Sequence, residues 1–305
     1  MAEGTHVVDT IREREAQWGE RGGTKSAIRR CLTRALSVVA AALLLGTGVC
    51  AVTGSLQGPT AGAQTLGPAD RPMPRTDQNS MTAHAQLLEK AKQGRIDVYF
   101  VGDSITRRWG ALDYPDLLAN WRSNFFGWNA ANFGWGADRI QNILWRLENG
   151  ELDGVRPKVI VVLAGTNNIG SQPGGDRKVA DITRGLKALV DVCHRKAPEA
   201  TIILTAIFPR NDNMAVILEI ERVNTYLASL ADGRRVRYLN VNDKLADKDG
   251  TLLDGMTVDN LHPTLKAYQI WADALKPILR ELLGPPAEID RAPAPTGDPS
   301  AARSK

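Results

Sequence analysis

The stretch Arg95-Ile-Asp-Val-Tyr-Phe-Val-Gly-Asp-Ser-Ile105 decides the fold of this chain. Its short apolar run, residues 98–101, ends abruptly at Gly102-Asp103-Ser104. Four to eight apolar residues that end at a glycine are typical of a buried parallel strand rather than of a helix. Open α/β sheets bind their ligands at the carboxyl ends of such strands, so Ser104 is a candidate nucleophile.

Two further segments carry the polar groups that a reactive serine needs. Gly165-Thr-Asn-Asn168 follows a second apolar run, and Asp259-Asn-Leu-His262 stands near the other end of the chain. Acyl transfer uses a serine, a histidine base, an acid that orients the histidine, and amide donors for the developing oxyanion. The sequence therefore contains the parts of an acyl-transfer site.

The order of these segments resembles the SGNH (GDSL-type) hydrolase family. Gly102-Asp103-Ser104 is similar to the first sequence block of that family, Gly165-Thr166-Asn167 to the third, and Asp259 with His262 to the last. One Gly-Asp-Ser is common by chance, whereas several blocks in the right order at plausible spacing are specific. The resemblance covers residues 95–283, most of the chain after its N-terminal part.

The second block is most similar to one branch of the family. Asn132-Phe-Gly-Trp-Gly-Ala-Asp138 continues into Ile143-Leu-Trp-Arg-Leu-Glu-Asn-Gly-Glu-Leu152. This run resembles the catalytic subunits of intracellular platelet-activating factor acetylhydrolase and their bacterial relatives. The resemblance implies an acetyl-sized acyl group and a serine esterase.

The resemblance also implies a role for each candidate residue. Ser104 would be the nucleophile, His262 its general base, and Asp259 the acid that fixes the imidazole tautomer. The side-chain amide of Asn167 and the backbone N–H groups of Ala137 and Ser104 would form the oxyanion hole. The structural alternatives are a helix N-cap for Ser104, loop positions for His262 and Asp259, and a turn role for Asn167.

The chain departs from the family pattern at Ala137, where the family usually has a glycine. A backbone donor survives this change if φ is negative at the position. If the position requires a positive φ, Ala137 would be strained and the oxyanion hole imperfect. Among the neighbours, Asp103 is expected to orient the turn and Asn168 to play a structural role with αL backbone.

Two tryptophans lie near these blocks. Trp135 is a candidate for substrate binding by stacking on a sugar ring, and Trp109 is a weaker one. Packing in the core or in a lid is the alternative for both. The sequence has no metal-spaced His/Cys cluster, phosphate-cradling glycine loop or dinucleotide fingerprint, so we expect no metal and no cofactor.

Strands and helices alternate through the matched region, which predicts an α/β fold with three α/β/α layers and a flavodoxin-like, five-stranded parallel sheet in the order 2-1-3-4-5. Asp138 is predicted to cap the second helix, and Pro277 to kink or break the last one. The predicted strands are residues 97–101, 129–133, 159–164, 201–206 and 236–239. The predicted helices are residues 81–92, 139–148, 179–196, 217–231 and 264–283.

Four regions are expected along the 305 residues. Residues 1–54 form a basic segment with an apolar stretch, and residues 55–80, rich in Gly, Pro, Ala and Thr, a flexible linker. Residues 81–284 are the hydrolase domain. Residues 285–305, rich in Pro and Ala, are predicted to be a disordered tail.

The apolar stretch at residues 35–52 follows a basic flank and predicts a signal peptide with a long leading region. A retained membrane anchor that places the domain outside is the rival, and a cytosolic protein with an unusual leader is the third alternative. We therefore expect an exported or membrane-tethered protein. Of its three cysteines, only Cys193 would remain after cleavage, so an internal disulfide is not expected.

The formal net charge of +4 comes mainly from the leader and does not predict nucleic-acid binding by the domain. The expected substrate is a small-molecule or glycan ester, with carbohydrate and lipid alcohols both open. A glycan-binding protein without activity and a longer-chain lipase or thioesterase are the alternative functions. The intracellular relatives dimerise, but no residue pattern here indicates an interface.

Overall fold

The computed structural model describes residues 67–301, and these form one parallel sheet of five strands covered by helices on both faces. The order of the strands is β2-β1-β3-β4-β5, which confirms the predicted α/β fold and its 2-1-3-4-5 order. The strands are β1 (Val98–Gly102), β2 (Ala130–Asn132), β3 (Val159–Leu163), β4 (Thr201–Thr205) and β5 (Val236–Leu239).

The sheet lies between two layers of helices. The longest described helix extends over 22 residues. A 3₁₀ turn, Met214–Val216, and a π-helical turn, Leu147–Glu151, join some of the elements. The helices are α1 (Gln78–Ala91), α2 (Ser104–Trp109), α3 (Pro115–Phe125), α4 (Ile140–Arg146), α5 (Thr166–Ile169), α6 (Gly175–Lys196), α7 (Ile217–Ser229), α8 (Asn242–Leu245) and α9 (Leu265–Leu283).

Strand β1 lies between β2 and β3, and its side chains alternate between two buried cores. Val98 and Phe100 join the core formed with α2, α3 and α9, whereas Tyr99 and Val101 join the core formed with α4, α6 and α7. Period-two alternation into two cores requires apolar residues at every position, which is why the run has no polar residue. Gly102 pairs with Leu163 of β3, so the two strands end side by side.

The boundary between α4 and the preceding loop differs from the prediction. Arg139, not Asp138, is the N-cap of α4, and the Asn142 side chain accepts a hydrogen bond from the Arg139 N–H at 3.0 Å. Asp138 is fully buried instead, because Arg146 of α4 pairs with its carboxylate. The helix α9 continues through Pro277, since Trp271, Leu275 and Leu279 hold both of its halves in the core.

The predicted linker is wrong over residues 67–80: residues 67–77 pack against the domain, and residues 78–80 already belong to α1. Ala69 is fully buried, and its N–H donates to the Asp181 carboxylate at 3.2 Å. The Met73 N–H donates to the Gln141 carbonyl at 2.9 Å. A segment with few large apolar residues is held here by backbone hydrogen bonds, which its composition does not reveal.

The predicted disordered tail is likewise corrected over residues 285–301, which lie along the domain beside β2. The Ala287 N–H donates to the Gly127 carbonyl at 3.0 Å, and the Arg95 N–H donates to the Arg291 carbonyl at 2.8 Å. The Leu112 N–H donates to the Thr296 carbonyl at 3.1 Å. These bonds attach residues 285–301 to the segments that precede β1 and β2 and to the segment after α2.

Within residues 67–301, no helix combines the length and the apolar character that crossing a bilayer requires. The apolar stretch at residues 35–52, and with it the predicted leader, lies outside the described residues.

Candidate active site

Ser104 is the first residue of α2 and follows directly on the end of β1. The side chain of Asp103 caps the helix by accepting a hydrogen bond from the Ile105 N–H at 2.9 Å. Gly102 has no room for a side chain, because a Cβ there would lie 2.3 Å from the Leu163 carbonyl oxygen. The turn after β1 therefore presents Ser104 at the edge of the sheet with its backbone N–H at a helix N-terminus.

Ser104, His262 and Asp259 form one hydrogen-bonded line. The Ser104 Oγ lies 3.0 Å from the His262 Nε2, and the His262 Nδ1 lies 2.7 Å from an Asp259 carboxylate oxygen. The other carboxylate oxygen of Asp259 accepts the backbone N–H of His262 at 2.7 Å. A turn of four residues thus holds the acid and the imidazole together, and the imidazole reaches the serine across the sheet edge.

The environment sets the charge states along this line. Burial lowers the pKa of His262, and the positive charges of Arg108 and Arg210 act in the same direction against the opposing hydrogen bond to Asp259. Partial burial tends to raise the pKa of Asp259, but the hydrogen bonds from the backbone and ring of His262 outweigh it and lower that pKa overall. A neutral imidazole beside an ionised carboxylate is the state that can accept a serine proton.

Two arginines near this line were not anticipated from the sequence. Arg108 lies one helical turn after Ser104, and its Nη1 is 3.9 Å from the Asp259 carboxylate. Arg210 is buried and donates to the Thr166 carbonyl at 3.0 Å, beside Asn167. The i, i+4 spacing from Ser104 could have pointed to Arg108, because residues so spaced share one face of a helix. Nothing local marks Arg210, which comes from the loop after β4.

Asn167 lies in α5, just after β3, and the pairing of Gly102 with Leu163 shows that Asn167 and Ser104 follow the ends of neighbouring strands. Its side-chain amide donates to the backbone carbonyl of Asp138 at 2.8 Å. An amide nitrogen has two hydrogens, so this bond orients the group and leaves a second N–H to donate. Asn168 is structural but helical: its side-chain oxygen accepts the Ile140 N–H at 2.9 Å, and Gly165 adopts the positive φ of this turn.

Ala137 has φ of +61°, in the left-handed region. The condition under which we expected strain at this position is therefore met. Among the described residues, its N–H has no hydrogen-bond partner, and its methyl group is exposed. Gly134 brings this loop against α2, because a Cβ there would lie 2.5 Å from the Arg107 nitrogen.

A buried network of charges supports this loop from beneath. Arg146 donates to the Asp138 carboxylate at 2.7 Å and to the Phe133 carbonyl at 3.0 Å, and it also pairs with Glu151. The His84 Nδ1 lies 2.7 Å from the other oxygen of Glu151. Burial raises the pKa of Asp138 to about 6, even though the Arg146 charge opposes the shift.

Trp135 does not have the exposed face that stacking on a sugar requires. It is 7% exposed, its Nε1 donates to the Ser80 hydroxyl at 2.9 Å, and the Arg107 guanidinium lies 5.0 Å from its ring centre. The packing alternative therefore describes Trp135, and Trp109 is fully buried as well. Asp103 is buried too, and burial raises the pKa of its carboxyl to about 7.

A groove of about 790 Å³ opens beside the loop that carries Asp259 and His262. Arg108 lines this groove and also lies near Asp259 of the candidate triad. Val258 and Leu265, which also line the groove, are 66% and 48% exposed. The other lining residues include the apolar or aromatic Tyr114, Pro115, Leu117 and Pro263 and the polar Asp116, Asn120 and Ser123.

Comparison with known proteins places the chain in a family. The model of the GDSL-like Lipase/Acylhydrolase family matches residues 100–270. Platelet-activating factor acetylhydrolase IB subunit alpha1 of Bos taurus is 32% identical over 238 residues, covering 76% of this chain and 97% of the relative. The subunit alpha2 of Gallus gallus is 33% identical over 218 residues, covering 71% and 90%.

Solved structures have the same fold. A Streptococcus pneumonia protein provisionally named a platelet activating factor has a TM-score of 0.56 at 24% identity, covering 66% of this chain and 93% of its own. A GDSL-like lipase of Bacteroides thetaiotaomicron has a TM-score of 0.50 at 19% identity, covering 67% and 96%. With a family model that spans more than half of the sequence and relatives above 30% identity, the resemblance seen in the four blocks is confirmed: the chain belongs to the GDSL-like Lipase/Acylhydrolase family.

Proposed function

We propose that this protein is a serine esterase that hydrolyses esters of small acyl groups, above all acetyl, through an acyl-serine intermediate. The observation that carries the proposal is the hydrogen-bonded line from Ser104 through His262 to Asp259. The acetyl group is suggested by the relatives, which are named acetylhydrolases. A serine hydroxyl is a weak nucleophile at neutral pH, so the imidazole at 3.0 Å is the feature that makes it reactive.

In this proposal the reaction proceeds in two halves. The His262 Nε2 takes the Ser104 proton as the Oγ attacks the ester carbonyl, and the resulting imidazolium is stabilised by Asp259. Collapse of the tetrahedral intermediate breaks the bond to the alkoxide, which leaves with the proton from His262. Water then attacks the acyl-serine, with His262 again acting first as base and then as acid.

The oxyanion of the intermediate would be held by three N–H donors. These are the second N–H of the Asn167 amide and the backbone N–H groups of Ser104 and Ala137. The Asp138 carbonyl supports the assignment of Asn167, since it orients that amide at 2.8 Å. Loss of one such donor typically slows turnover by about 10²–10³-fold.

The groove beside the triad is where we place the alcohol part of the ester. Its volume of about 790 Å³ is enough for a sugar or a lipid headgroup, and its rim is apolar. The side chain of Arg108 lines the groove, makes no hydrogen bond within the described residues and can donate to an oxygen of the alcohol. Carbohydrate and lipid esters therefore remain the two candidate classes.

A series of p-nitrophenyl esters from acetate to decanoate tests the acyl preference. The proposal predicts the highest kcat/KM for acetate and a steep decline beyond butyrate, because a small acyl pocket rejects longer chains. A maximum at octanoate or decanoate would instead indicate a lipase or thioesterase. Acetylated oligosaccharides and acetylated lysophospholipids, compared at equal concentration, would then separate the two alcohol classes.

A second candidate function is a glycan-binding protein without activity on the same fold. The observation that favours it is the positive φ of Ala137, which strains the oxyanion loop. Such a protein would bind acetylated glycan without releasing acetate. It would also leave p-nitrophenyl acetate intact and take up no fluorophosphonate at Ser104.

We also propose that the domain works outside the cytoplasm, exported or tethered by residues 35–52. The proposal rests on the sequence of that stretch and its basic flank. Fractionation of cells that express the full chain would test it. Recovery of the enzyme in the cytosolic fraction, at full length, would contradict it.

A further inference from the structure

We propose that Arg75, which lies before α1, is a positioning residue that fixes the backbone N–H of Ala137 in the oxyanion hole. The inference rests on the proposed esterase function and assigns part of its machinery to a segment outside the matched residues 100–270. Arg75 contacts no residue of the candidate triad, so it acts only through the loop that precedes α4.

The contact that matters is the hydrogen bond from the Arg75 Nη1 to the Gly136 carbonyl, at 3.2 Å. That carbonyl and the N–H of Ala137 belong to the same peptide unit. Peptide bonds in the described residues are trans, so the two groups point in opposite directions. A donor that holds the carbonyl on one side therefore holds the N–H on the other, away from Arg75.

Among the described residues, no other hydrogen bond reaches this peptide unit directly, although the Asp138 N–H closes a turn around it by donating to the Trp135 carbonyl at 3.3 Å. Gly136 has open space around its Cα, with no atom within 4 Å of where a Cβ would stand, and glycine tolerates either rotation. Ala137 is in the left-handed region, a conformation that an alanine leaves readily. A flipped unit would remove the N–H donor and turn a carbonyl oxygen toward the oxyanion.

Arg75 is itself paired with Asp77. Its Nε and Nη2 lie 3.1 Å and 2.9 Å from one carboxylate oxygen of Asp77. The other oxygen of Asp77 caps α1 by accepting the Ser80 N–H at 2.9 Å. The Nη1 also lies 3.6 Å from the buried carboxylate of Asp138, on the far side of Ala137. The guanidinium thus bridges the start of α1 and both ends of the strained residue.

The test compares Arg75→Met with Arg71→Met, a matched loss of one arginine from the same segment. Arg71 is exposed and its side chain has no contact with the loop. With p-nitrophenyl acetate, Arg75→Met should lower kcat by about 10- to 100-fold with KM within about twofold, because the lost interaction is made in the transition state. Arg75→Lys, which keeps one donor, should recover part of the loss.

The inhibition constant of a trifluoromethyl ketone distinguishes a positioning role of Arg75 from a purely structural one, because a structural role would leave it unchanged. The ketone forms an oxyanion on Ser104, so its inhibition constant should rise in Arg75→Met by the same factor as kcat falls. The melting temperature of each variant is measured alongside. If Arg75→Met matches Arg71→Met in kcat and in ketone affinity, the inference is wrong.

Loss of kcat without a change in ketone affinity would also contradict the inference, since it would place the effect outside the oxyanion hole. Failure of the proposed function has a different signature. In that case the wild-type protein and Arg71→Met would both leave the ester intact and bind no ketone covalently, and this inference would fall with the function on which it rests.

Discussion

Replacement of Ala137 by glycine should make the protein more stable, although it removes a side chain. At φ of +61° an L-residue pays about 1–2 kcal/mol relative to its preferred conformations. Glycine avoids this cost but loses about 0.5–1 kcal/mol more in chain entropy on folding. The methyl group of Ala137 is exposed, so its removal costs little packing. The free energy of unfolding should therefore rise by about 0.5–1 kcal/mol.

Urea or thermal unfolding of the purified protein measures this effect. A domain of this size gains about 2–4 °C in melting temperature per kcal/mol, so we expect an increase of about 1–4 °C for Ala137→Gly. Ala180→Gly is the matched control, because the same atoms are removed at an exposed position of α6. There the helical backbone makes glycine unfavourable by about 1 kcal/mol, and the melting temperature should fall.

The kinetic consequence of Ala137→Gly separates strain from function. The backbone N–H at position 137 is unchanged, so kcat on p-nitrophenyl acetate should remain within about threefold of the wild type. A melting temperature that falls as far as in Ala180→Gly would refute the account of strain. A kcat more than tenfold higher would show that the alanine holds the oxyanion hole in a poor geometry, which is the condition behind the glycan-binding alternative.

Three further outcomes are expected. Ser104→Ala should lose fluorophosphonate labelling in intact-protein mass spectrometry. Its turnover should fall at least about 10³-fold while its melting temperature stays unchanged. Residual labelling of this variant would rule out Ser104 as the nucleophile. Because the pKa of His262 is lowered, kcat/KM should rise with pH through an apparent pKa below about 6.5. Arg108→Gln removes a positive charge near His262 and should move this rise to higher pH. A rise at an unchanged pH would contradict the assignment of His262 as the titrating base. Burial lowers the pKa of Lys90 to about 7, so between pH 7 and 9 the unfolded chain binds a proton that the folded chain lacks. The free energy of unfolding should therefore rise with pH in the wild type and rise less in Lys90→Met, which urea titrations at each pH would measure. Parallel pH curves for the two proteins would refute this prediction.

The sheet was predictable because its signal is local. Strands β1, β3 and β4 are built on short apolar runs that end at or close to a polar or glycine residue, and the bounds of β5 match the prediction at both ends. Helix α3 was missed although Pro115 at its first position and Asp116 in its first turn are typical start signals. The segments on either side of the domain could not be predicted, since backbone hydrogen bonds to remote residues leave no pattern in composition.

The candidate triad was predictable for a related reason. Asp259 and His262 lie within one turn, and the end of β1 and the end of β3 are neighbours in the predicted strand order. Asp138 shows where such local reasoning fails. An acid directly before an amphipathic helix indicates an N-cap, but the carboxylate of Asp138 instead accepts a hydrogen bond from Arg146, eight residues later. An unpaired charge is costly to bury, so the buried Arg146 is stabilised by pairing with the carboxylates of Asp138 and Glu151. This pairing outweighs the use of Asp138 as a helix N-cap.

The loop at residues 134–138 combines a local sequence motif with contacts from remote residues. It contributes a proposed oxyanion donor, yet its shape depends on residues from four other parts of the chain: Arg75, Arg107, Arg146 and Asn167. In the family pattern a glycine at position 137 would adopt the left-handed backbone at no cost. Here an alanine adopts it, and the cost of that conformation is met by contacts that lie mostly outside the motif. If the proposed oxyanion hole is formed as inferred, its geometry is a tertiary property, and we expect a change in the segment before α1 to alter turnover while every motif residue stays in place.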